Sequence, residues 1–349
     1  MNNEKYETAD EELPGQETPL QWRVRFLKQV LMMFAIGLGF VVLGMATSYP
    51  NAAVVDLRRD NSTLFGTSFD LEAWEEDMMG SILSGGGLAG TWLGGWALRR
   101  AGRKRSLMAL VLPCVLAWGL VALSLNPGML LTGRFLCGVF SGMMSVVGNV
   151  YAVELPDTNV RGFLAMIPNV MVSAGLVASV SLGLCLRWFE IPAVAVGVFL
   201  ACFASVSFVP ESPTFLAVSG RESEARKVLR RLRGPSADVE EELKVLKDHN
   251  QDKAGQPIFR LFLQRDVLRA LVGLTGGSVY GILALQLFTP MQTALTTPGL
   301  YWFYGGVSIA GILFCCAFVR ETMRVAIVMD RDKNLKTNRI WVRTKDPTR

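Results

Sequence analysis

The chain has 349 residues, a formal net charge of +5 and a composition that is 51% hydrophobic and only 19% charged. Soluble domains carry about 25% charged residues, and long windows without a charge recur along this chain, each about the ~20 residues that cross a bilayer as a helix. These features argue against a soluble enzyme, a nucleic-acid-binding protein and a disulfide-stapled secreted domain.

The chain begins with a polar, acidic segment, and residues 1–26 are predicted to form a disordered cytoplasmic tail. Eight apolar windows follow, so the fold class is predicted to be all-α, a polytopic helical membrane protein. The predicted spans are Val30–Ser48, Met78–Leu98, Leu107–Leu125, Met129–Tyr151, Phe163–Leu186, Ile191–Val209, Ala270–Phe288 and Leu300–Val319. The resulting domains are a six-helix half at 27–209, a linker at 210–267, a partial second half of two helices at 268–322 and a cytoplasmic tail at 323–349.

The distribution of cations predicts the orientation in the membrane. Residues 99–105 contain five cations in seven positions, whereas the loops at Asn126–Gly128 and Thr289–Gly299 contain none. Because Lys and Arg accumulate in cytoplasmic loops, both termini are expected in the cytoplasm. The link Asp56–Asp77 then lies outside the cell, where Asn61 of its Asn-Ser-Thr sequence would be a glycosylation acceptor.

The linker at 210–267 is too polar to enter the bilayer, and its pattern favours two short cytoplasmic helices. The first carries Leu229 and Leu232 at helical spacing and ends at Gly234-Pro235. The second begins at Ser236, and its apolar face includes Val239, Leu243 and Leu246. The alternative is a solvated charged linker.

Glycines recur at every fourth position on two spans, at Gly86, Gly90 and Gly94 and again at Gly138 and Gly142. This spacing lets helix backbones approach closely in a membrane. It predicts closely packed helices but does not identify a function.

The sequence offers little material for cofactor or metal chemistry. All six cysteines lie in predicted spans, the one histidine is His249 in the linker, and no phosphate-binding G-x-x-x-x-G-K-[ST] loop occurs. No cofactor or metal is therefore expected, and the protein is not expected to be an enzyme.

Three motifs resemble those of the sugar porters of the major facilitator superfamily. Gly95–Lys104 resembles the G-x-x-x-D-R-x-G-R-R loop, and Pro210–Thr214 resembles the motif after the sixth helix. The fourth-helix pattern is matched by Gly133, Arg134, Gly138, Gly142, Tyr151, Glu154, Arg161 and Gly162. The sequence of these motifs looks closest to that of arthropod facilitated trehalose transporters. Two departures are Arg99, in place of the acid of the loop motif, and Arg320, in place of the proline of the closing motif.

The resemblance also exposes a gap. A full member has twelve spans, with the substrate bound at the midplane between two six-helix halves. Here the equivalents of helices seven to ten are largely missing. Residues Gly273–Gly281 carry no counterpart of the family's Gln-Gln-x-Ser-Gly sugar-contacting motif.

The resemblance implies roles for individual residues. Asn169 falls where the family has a sugar-binding glutamine, with a helix-packing contact as the alternative. Arg103, Glu154, Arg161 and Glu211 would form a cytoplasmic charge network that acts as a gate, with topology markers or lipid headgroup partners as the alternatives. The transmembrane charge Arg134, near the outer end of its span, is expected to reach outward to water, with a gating role as the alternative.

Together these observations favour facilitated transport of a sugar, trehalose or a hexose, across the plasma membrane, by a glycoprotein with a sugar and the lipid bilayer as partners and no nucleic acid. The first span contains no acidic residue, which favours uncoupled transport. The alternative is a non-transporting truncated relative, acting as a sensor or an oligomeric partner, or an incomplete gene model. A homo-oligomer or an association with a full-length transporter is compatible with both readings.

Overall fold

The structure is a computed structural model that describes residues 19–157, 160–234, 239–244, 246, 299 and 306. In this part of the chain the main elements are α-helices. Their bounds are α1 Pro19–Arg59, α2 Ala73–Ala101, α3 Arg103–Ala109, α4 Val111–Ala122, α5 Pro127–Glu154, α6 Arg161–Leu164, α7 Ile167–Leu182, α8 Ile191–Ser207, α9 Pro213–Val218 and α10 Glu222–Arg233. Residues 239–244 are also helical.

The chain divides into two compact units, Met1–Gln286 and Leu287–Arg349. All ten helices belong to the first unit. The seventh predicted span, almost all of the eighth and the tail at 323–349 lie outside the described residues.

Each of the first six predicted spans falls on one helix or on two consecutive helices. The third span is formed by α3 and α4, and the fifth by α6 and α7. Both end slightly earlier than predicted, at Ala122 and Leu182. The prediction of an all-α membrane fold is confirmed.

Four of the described helical segments are long and apolar enough to cross a membrane, namely Leu20–Arg59, Arg103–Ala122, Pro127–Glu154 and Arg161–Leu182. Helix α8 is apolar but shorter, with 17 residues. Helix α2 has 29 residues, but its many glycines contribute little hydropathy.

The first helix begins earlier than predicted. We expected a disordered tail over residues 1–26, whereas α1 starts at Pro19. The physical reason is tertiary: Arg25, near the start of α1, bonds to Asp157 at 2.6 Å and to the carbonyl of Arg233 at 2.8 Å. These partners are remote in sequence, so the local composition of the segment could not reveal them.

The six spans form a bundle in which α2 packs mainly on α5, and α1 packs mainly on α7. Helices α4 and α8 pack against α5 and α1, respectively, and against each other. Large side chains such as Trp118, Phe140 and Phe199 are fully buried in the bundle. The described part of the chain therefore has one apolar core shared by all six spans.

Glycines set the spacing between α2 and α5. A Cβ atom on Gly86 would lie 2.1 Å from the carbonyl oxygen of Phe135, and one on Gly142 would lie 2.2 Å from that of Gly87. Gly90 has an equally close contact with α5. No side chain can occupy these positions without moving a helix, so the predicted glycine contact is confirmed.

Glycines also bring α1 and α7 into close backbone contact. A Cβ atom on Gly44 would lie 2.1 Å from the carbonyl oxygen of Val172, and one on Gly175 would lie 2.0 Å from that of Val41. Both main helix pairs therefore meet backbone to backbone.

The two ends of the bundle differ in charge. The basic end carries residues 99–105, α9 and α10, and the opposite end carries residues 60–72 and 183–190. At the basic end, α9, α10 and residues 239–244 share a small apolar core formed by Leu216, Ala217, Ala225, Leu229, Val239 and Leu243. The predicted short helices after the sixth span are confirmed; Ser236, the predicted cap of the second, lies outside the described residues.

Candidate functional site

At the basic end, a network of charged side chains joins three segments of the chain: the α2–α3 link, the end of α5 and the segment after α8. Arg103 binds Glu154 through two hydrogen bonds, from Nε at 2.7 Å and from Nη2 at 2.6 Å. Both side chains are only 17% exposed. A bidentate guanidinium–carboxylate pair is charge-assisted and fixed in geometry, so it ties the start of α3 firmly to the end of α5.

Glu211 holds the start of α3 from the other side. Its Oε1 accepts hydrogen bonds from the backbone N–H groups of Arg103 at 3.0 Å and Lys104 at 2.9 Å. These N–H groups lack partners within the helix, and the positive end of the helix dipole favours a carboxylate there. Lys104 in turn donates from Nζ to the carbonyl of Ser207 at 2.6 Å. The α2–α3 link is therefore fixed to the segment after α8.

Gly102 is required at this link. It has a φ of +87°, a conformation that glycine adopts without strain. A Cβ atom there would also lie 2.9 Å from Oε2 of Glu211 and 2.6 Å from the ring of Phe215. The glycine allows the Glu211 carboxylate to approach the helix start.

Two members of the network were not predicted as site residues. Ser212 donates a hydrogen bond from Oγ to Glu154, and Tyr151 donates from its hydroxyl to the carbonyl of Pro210. Ser212 also caps α9, accepting from the N–H of Phe215 at 3.3 Å. A serine directly before a proline at a helix start is a recognisable signal, which could have indicated the cap but not the bond to Glu154.

Arg161 does not join these residues. Its Nε atom is buried and has no hydrogen-bond partner within the described part of the chain. Of the four residues predicted to form the charge network, the structure brings together Arg103, Glu154 and Glu211.

A second cluster at the basic end connects α5, α10 and α1. Arg233, only 6% exposed, donates to the carbonyl of Leu155 at 3.0 Å and binds Glu242 at 3.0 Å. Arg25 links Asp157 to the C-terminal carbonyl of α10. A cation at a helix C-terminus interacts favourably with the negative end of the helix dipole. The short helices are thereby anchored to the bundle.

Arg134 corrects the expectation that its side chain reaches outward to water. The side chain is fully buried, donating from Nη1 to the carbonyl of Ala46 at 2.7 Å and from Nε to that of Met79 at 3.1 Å. Its guanidinium also lies 5.4 Å from the ring centroid of Tyr49. The carbonyl of Ala46 would normally accept from the residue at position 50, but that residue is Pro50, which has no N–H. Arg134 supplies the missing donor.

Asn169 lies on α7 with its side chain exposed. Within the described residues its side-chain amide makes no hydrogen bond, while its backbone carbonyl accepts one from Ser173 at 3.2 Å. The amide is therefore available to a ligand, and the packing contact considered as its alternative is absent from this part of the chain.

At the opposite end, Asn61 belongs to a folded loop. Its Nδ2 donates to Asp70 at 2.8 Å, and the hydroxyl of Thr63 pairs with that of Thr67 at 2.7 Å. Asn61 is partly exposed and Thr63 is buried. The loop places Asn61, the predicted glycosylation acceptor, at the surface of the protein.

This loop is attached to the turn between α7 and α8 by Arg187. The guanidinium binds Asp56 at 3.0 Å and Asp60 at 2.8 Å. Hydrogen bonds from Ser62 and Arg187 hold the pKa of Asp60 below its ordinary value, and the hydrogen bond to Asp56 raises the pKa of Arg187. The opposite end of the bundle is thus held together by its own ion-pair cluster.

Comparison with known proteins identifies the family. The family described as sugar (and other) transporter matches residues 72–282. The facilitated trehalose transporter Tret1 of Apis mellifera ligustica is 30% identical over 220 residues, which cover 63% of this chain and 43% of that protein. The Tret1 protein of Drosophila mojavensis is 34% identical over 247 residues, which cover 70% of this chain and 28% of that protein.

Among solved structures, the proton:xylose symporter XylE matches with a TM-score of 0.58 and 18% identity, over 66% of this chain and 55% of its own. A partially occluded inward-open form of XylE from E. coli matches with a TM-score of 0.54, over 77% and 74% of the two chains. At this identity the likeness shows the fold alone, and the fold is that of the major facilitator superfamily.

The chain spans about two fifths of the length of the Apis relative and a quarter of that of the Drosophila grimshawi Tret1 protein. The relatives are named as transporters, which confirms the prediction that this chain is not an enzyme. Because the family match covers more than half of the chain and includes Arg103, Glu154 and Glu211, this membrane protein belongs to the sugar (and other) transporter family.

Proposed function

We propose that the protein carries out facilitated, uncoupled transport of a sugar, trehalose or a hexose. The observation that carries this proposal is the family match over residues 72–282, which spans both the glycine-packed helices and the charge network at the basic end. The Tret1 relatives are named as trehalose transporters, and this favours trehalose over other sugars.

The absence of coupling is supported by α1. Its only acidic residue is Asp56, in its last turn, where it binds Arg187. Arg134, the buried cation of the bundle, bonds to backbone carbonyls rather than to a carboxylate within the described residues. This part of the chain therefore offers no membrane-embedded acid that could carry a proton.

Asn169 is the proposed sugar contact. A side-chain amide has both donors and an acceptor for the hydroxyl groups of a polyol, and this one is exposed on α7 without an internal side-chain partner.

Arg103, Glu154 and Glu211 are the proposed gate. They tie together the start of α3, the end of α5 and the segment after α8, and release of these bonds is the proposed step that lets the basic end open. Arg161 is proposed to join the gate in another conformation, since its buried Nε atom has no hydrogen-bond partner among the described residues.

We place the basic end, and with it both termini, in the cytoplasm of the cell and the protein in the plasma membrane. The support is the concentration of cations in residues 99–105 and α10, which follows the positive-inside rule. On this placement Asn61 faces outward and is available for glycosylation.

A second candidate is a non-transporting relative that acts as a sensor or associates with a full-length transporter or a second copy of itself. The observation that favours it is the extent of the match, since the chain spans only 43% of the Apis relative. Transport in this superfamily depends on two halves that move against each other.

Uptake of labelled trehalose and glucose by cells that express this chain distinguishes the two candidates, with surface biotinylation as the control for delivery. Saturable uptake that resists a proton uncoupler and falls at least about tenfold in Asn169→Ala supports the proposed transport. Surface delivery without uptake would contradict it and would leave the non-transporting role.

A further inference from the structure

We propose that a groove between α1 and α10 at the basic end binds the headgroup and upper acyl chain of an anionic phospholipid. Neither this groove nor a bound lipid is needed for the proposed transport. The groove is lined by apolar side chains, among them Leu20, Val24, Met32 and Leu232, and by three cations, Arg25, Lys28 and Arg231.

The walls of the groove are held in place by hydrogen bonds. Gln29 of α1 donates from Nε2 to the carbonyl of Leu232 at 3.0 Å, and Arg25 donates to the carbonyl of Arg233 at 2.8 Å. The last turn of α10 is therefore fixed beside the first turns of α1, and the groove is a feature of the packed structure.

Two of the three cations of the groove are available to a ligand, whereas the third, Arg25, binds Asp157 at 2.6 Å. Arg233 and Arg226 of α10 are neutralised by Glu242 and Glu240. Lys28 and Arg231, in contrast, are exposed and have no ion-pair partner in the described part of the chain. An anionic group between them would gain charge interactions without displacing an existing ion pair.

The surroundings of the groove indicate a lipid rather than a soluble anion. Leu20 and Leu27 are 72% and 58% exposed, and Trp22 stacks on Phe26 with ring centroids 5.5 Å apart. Exposed apolar residues beside a tryptophan and cations are typical of the membrane–water boundary. Basic pockets at the cytoplasmic side of membrane helices suit anionic headgroups.

The test uses the full chain in phosphatidylcholine vesicles that contain a photoactivatable phosphatidylserine. Crosslinking to residues 20–32 is quantified by mass spectrometry, with unlabelled phosphatidylserine or inorganic phosphate as competitor, and is compared with that of a photoactivatable phosphatidylcholine. Only phosphatidylserine is expected to compete, and the phosphatidylcholine probe is expected to crosslink less. Equal competition by phosphate would show a free-anion site, and equal crosslinking of the two probes would show non-selective lipid contact; each would overturn the proposal.

Matched variants test the groove itself. The double variant Lys28→Gln with Arg231→Gln is expected to reduce this crosslinking about tenfold, since each surface cation contributes measurably to anionic lipid binding. Lys227→Gln with Arg230→Gln removes two exposed cations of α10 that do not line the groove and is expected to change it little. An equal loss of crosslinking in both double variants would show that it depends only on general surface charge, and this would overturn the proposal.

A third variant, Val24→Asn, tests the acyl-chain contact at an exposed position, where a polar side chain of similar size is expected to leave the fold intact. It is expected to lower the crosslinking with both cations in place, and unchanged crosslinking would contradict a lipid in the groove. Because no arm measures transport, the outcome is separate from that of the proposed function.

Discussion

Arg134 illustrates how one residue resolves a problem created by another. Pro50 continues α1 but cannot donate to the carbonyl of Ala46. An unpaired carbonyl is costly in the bilayer interior, as is an unpaired guanidinium. The bond between them, at 2.7 Å, removes much of both costs and connects α1 to α5.

A double-mutant cycle tests this relation. Arg134→Met is expected to lower the free energy of unfolding by about 2–4 kcal/mol, because it removes hydrogen bonds to two buried carbonyls. In a Pro50→Ala background the cost is expected to be about 1 kcal/mol smaller, since the substituted alanine restores an N–H donor for the carbonyl of Ala46. Thermal unfolding in detergent measures both; equal costs in the two backgrounds would refute the relation.

At the scale of helices, the glycine spacing predicted that α2 and α5 make close backbone contacts, but not that they make them with each other. The resemblance of the loop motifs likewise led to Arg103, Glu154 and Glu211, which meet in the structure. The sequence could not predict the partner of Arg134 or the early start of α1, because Ala46, Asp157 and Arg233 become neighbours only after the bundle has packed. Local patterns predict faces and spacings, whereas long-range partners depend on the packed register.

A glycine pair on α2 tests the role of close packing. Gly90→Ala is expected to destabilise the protein by about 1–3 kcal/mol, because the new Cβ atom would lie 2.1 Å from the carbonyl oxygen of Val139. Gly85→Ala is the matched control: its Cβ atom meets nothing within 4 Å, and the better helix propensity of alanine makes it neutral or stabilising by up to about 1 kcal/mol. Unfolding midpoints in detergent compare the two, and equal shifts would show that backbone contact at Gly90 contributes nothing.

At the scale of the whole described bundle, each end is secured by its own cluster of arginine–carboxylate ion pairs. Arg103, Glu154 and Glu211 fasten the basic end, while Arg187, Asp56 and Asp60 fasten the opposite end. Both clusters join helices of the same six-span bundle, so each holds its own end of that bundle together. The assignment of the two ends to the two sides of the membrane is a separate question that can be measured.

Cys185 provides a direct measurement of that assignment. It is exposed in the turn after α7 at the opposite end, whereas Cys114, Cys137 and Cys202 are buried. If the basic end is cytoplasmic, a membrane-impermeant maleimide is expected to label Cys185 in intact cells, with Cys185→Ser as the control for background labelling. Ser219→Cys in the Cys185→Ser background places a cysteine at an exposed position of the basic end, where labelling is expected only after permeabilisation. The reverse pattern would place the cation-rich end outside the cell and would contradict the proposed orientation.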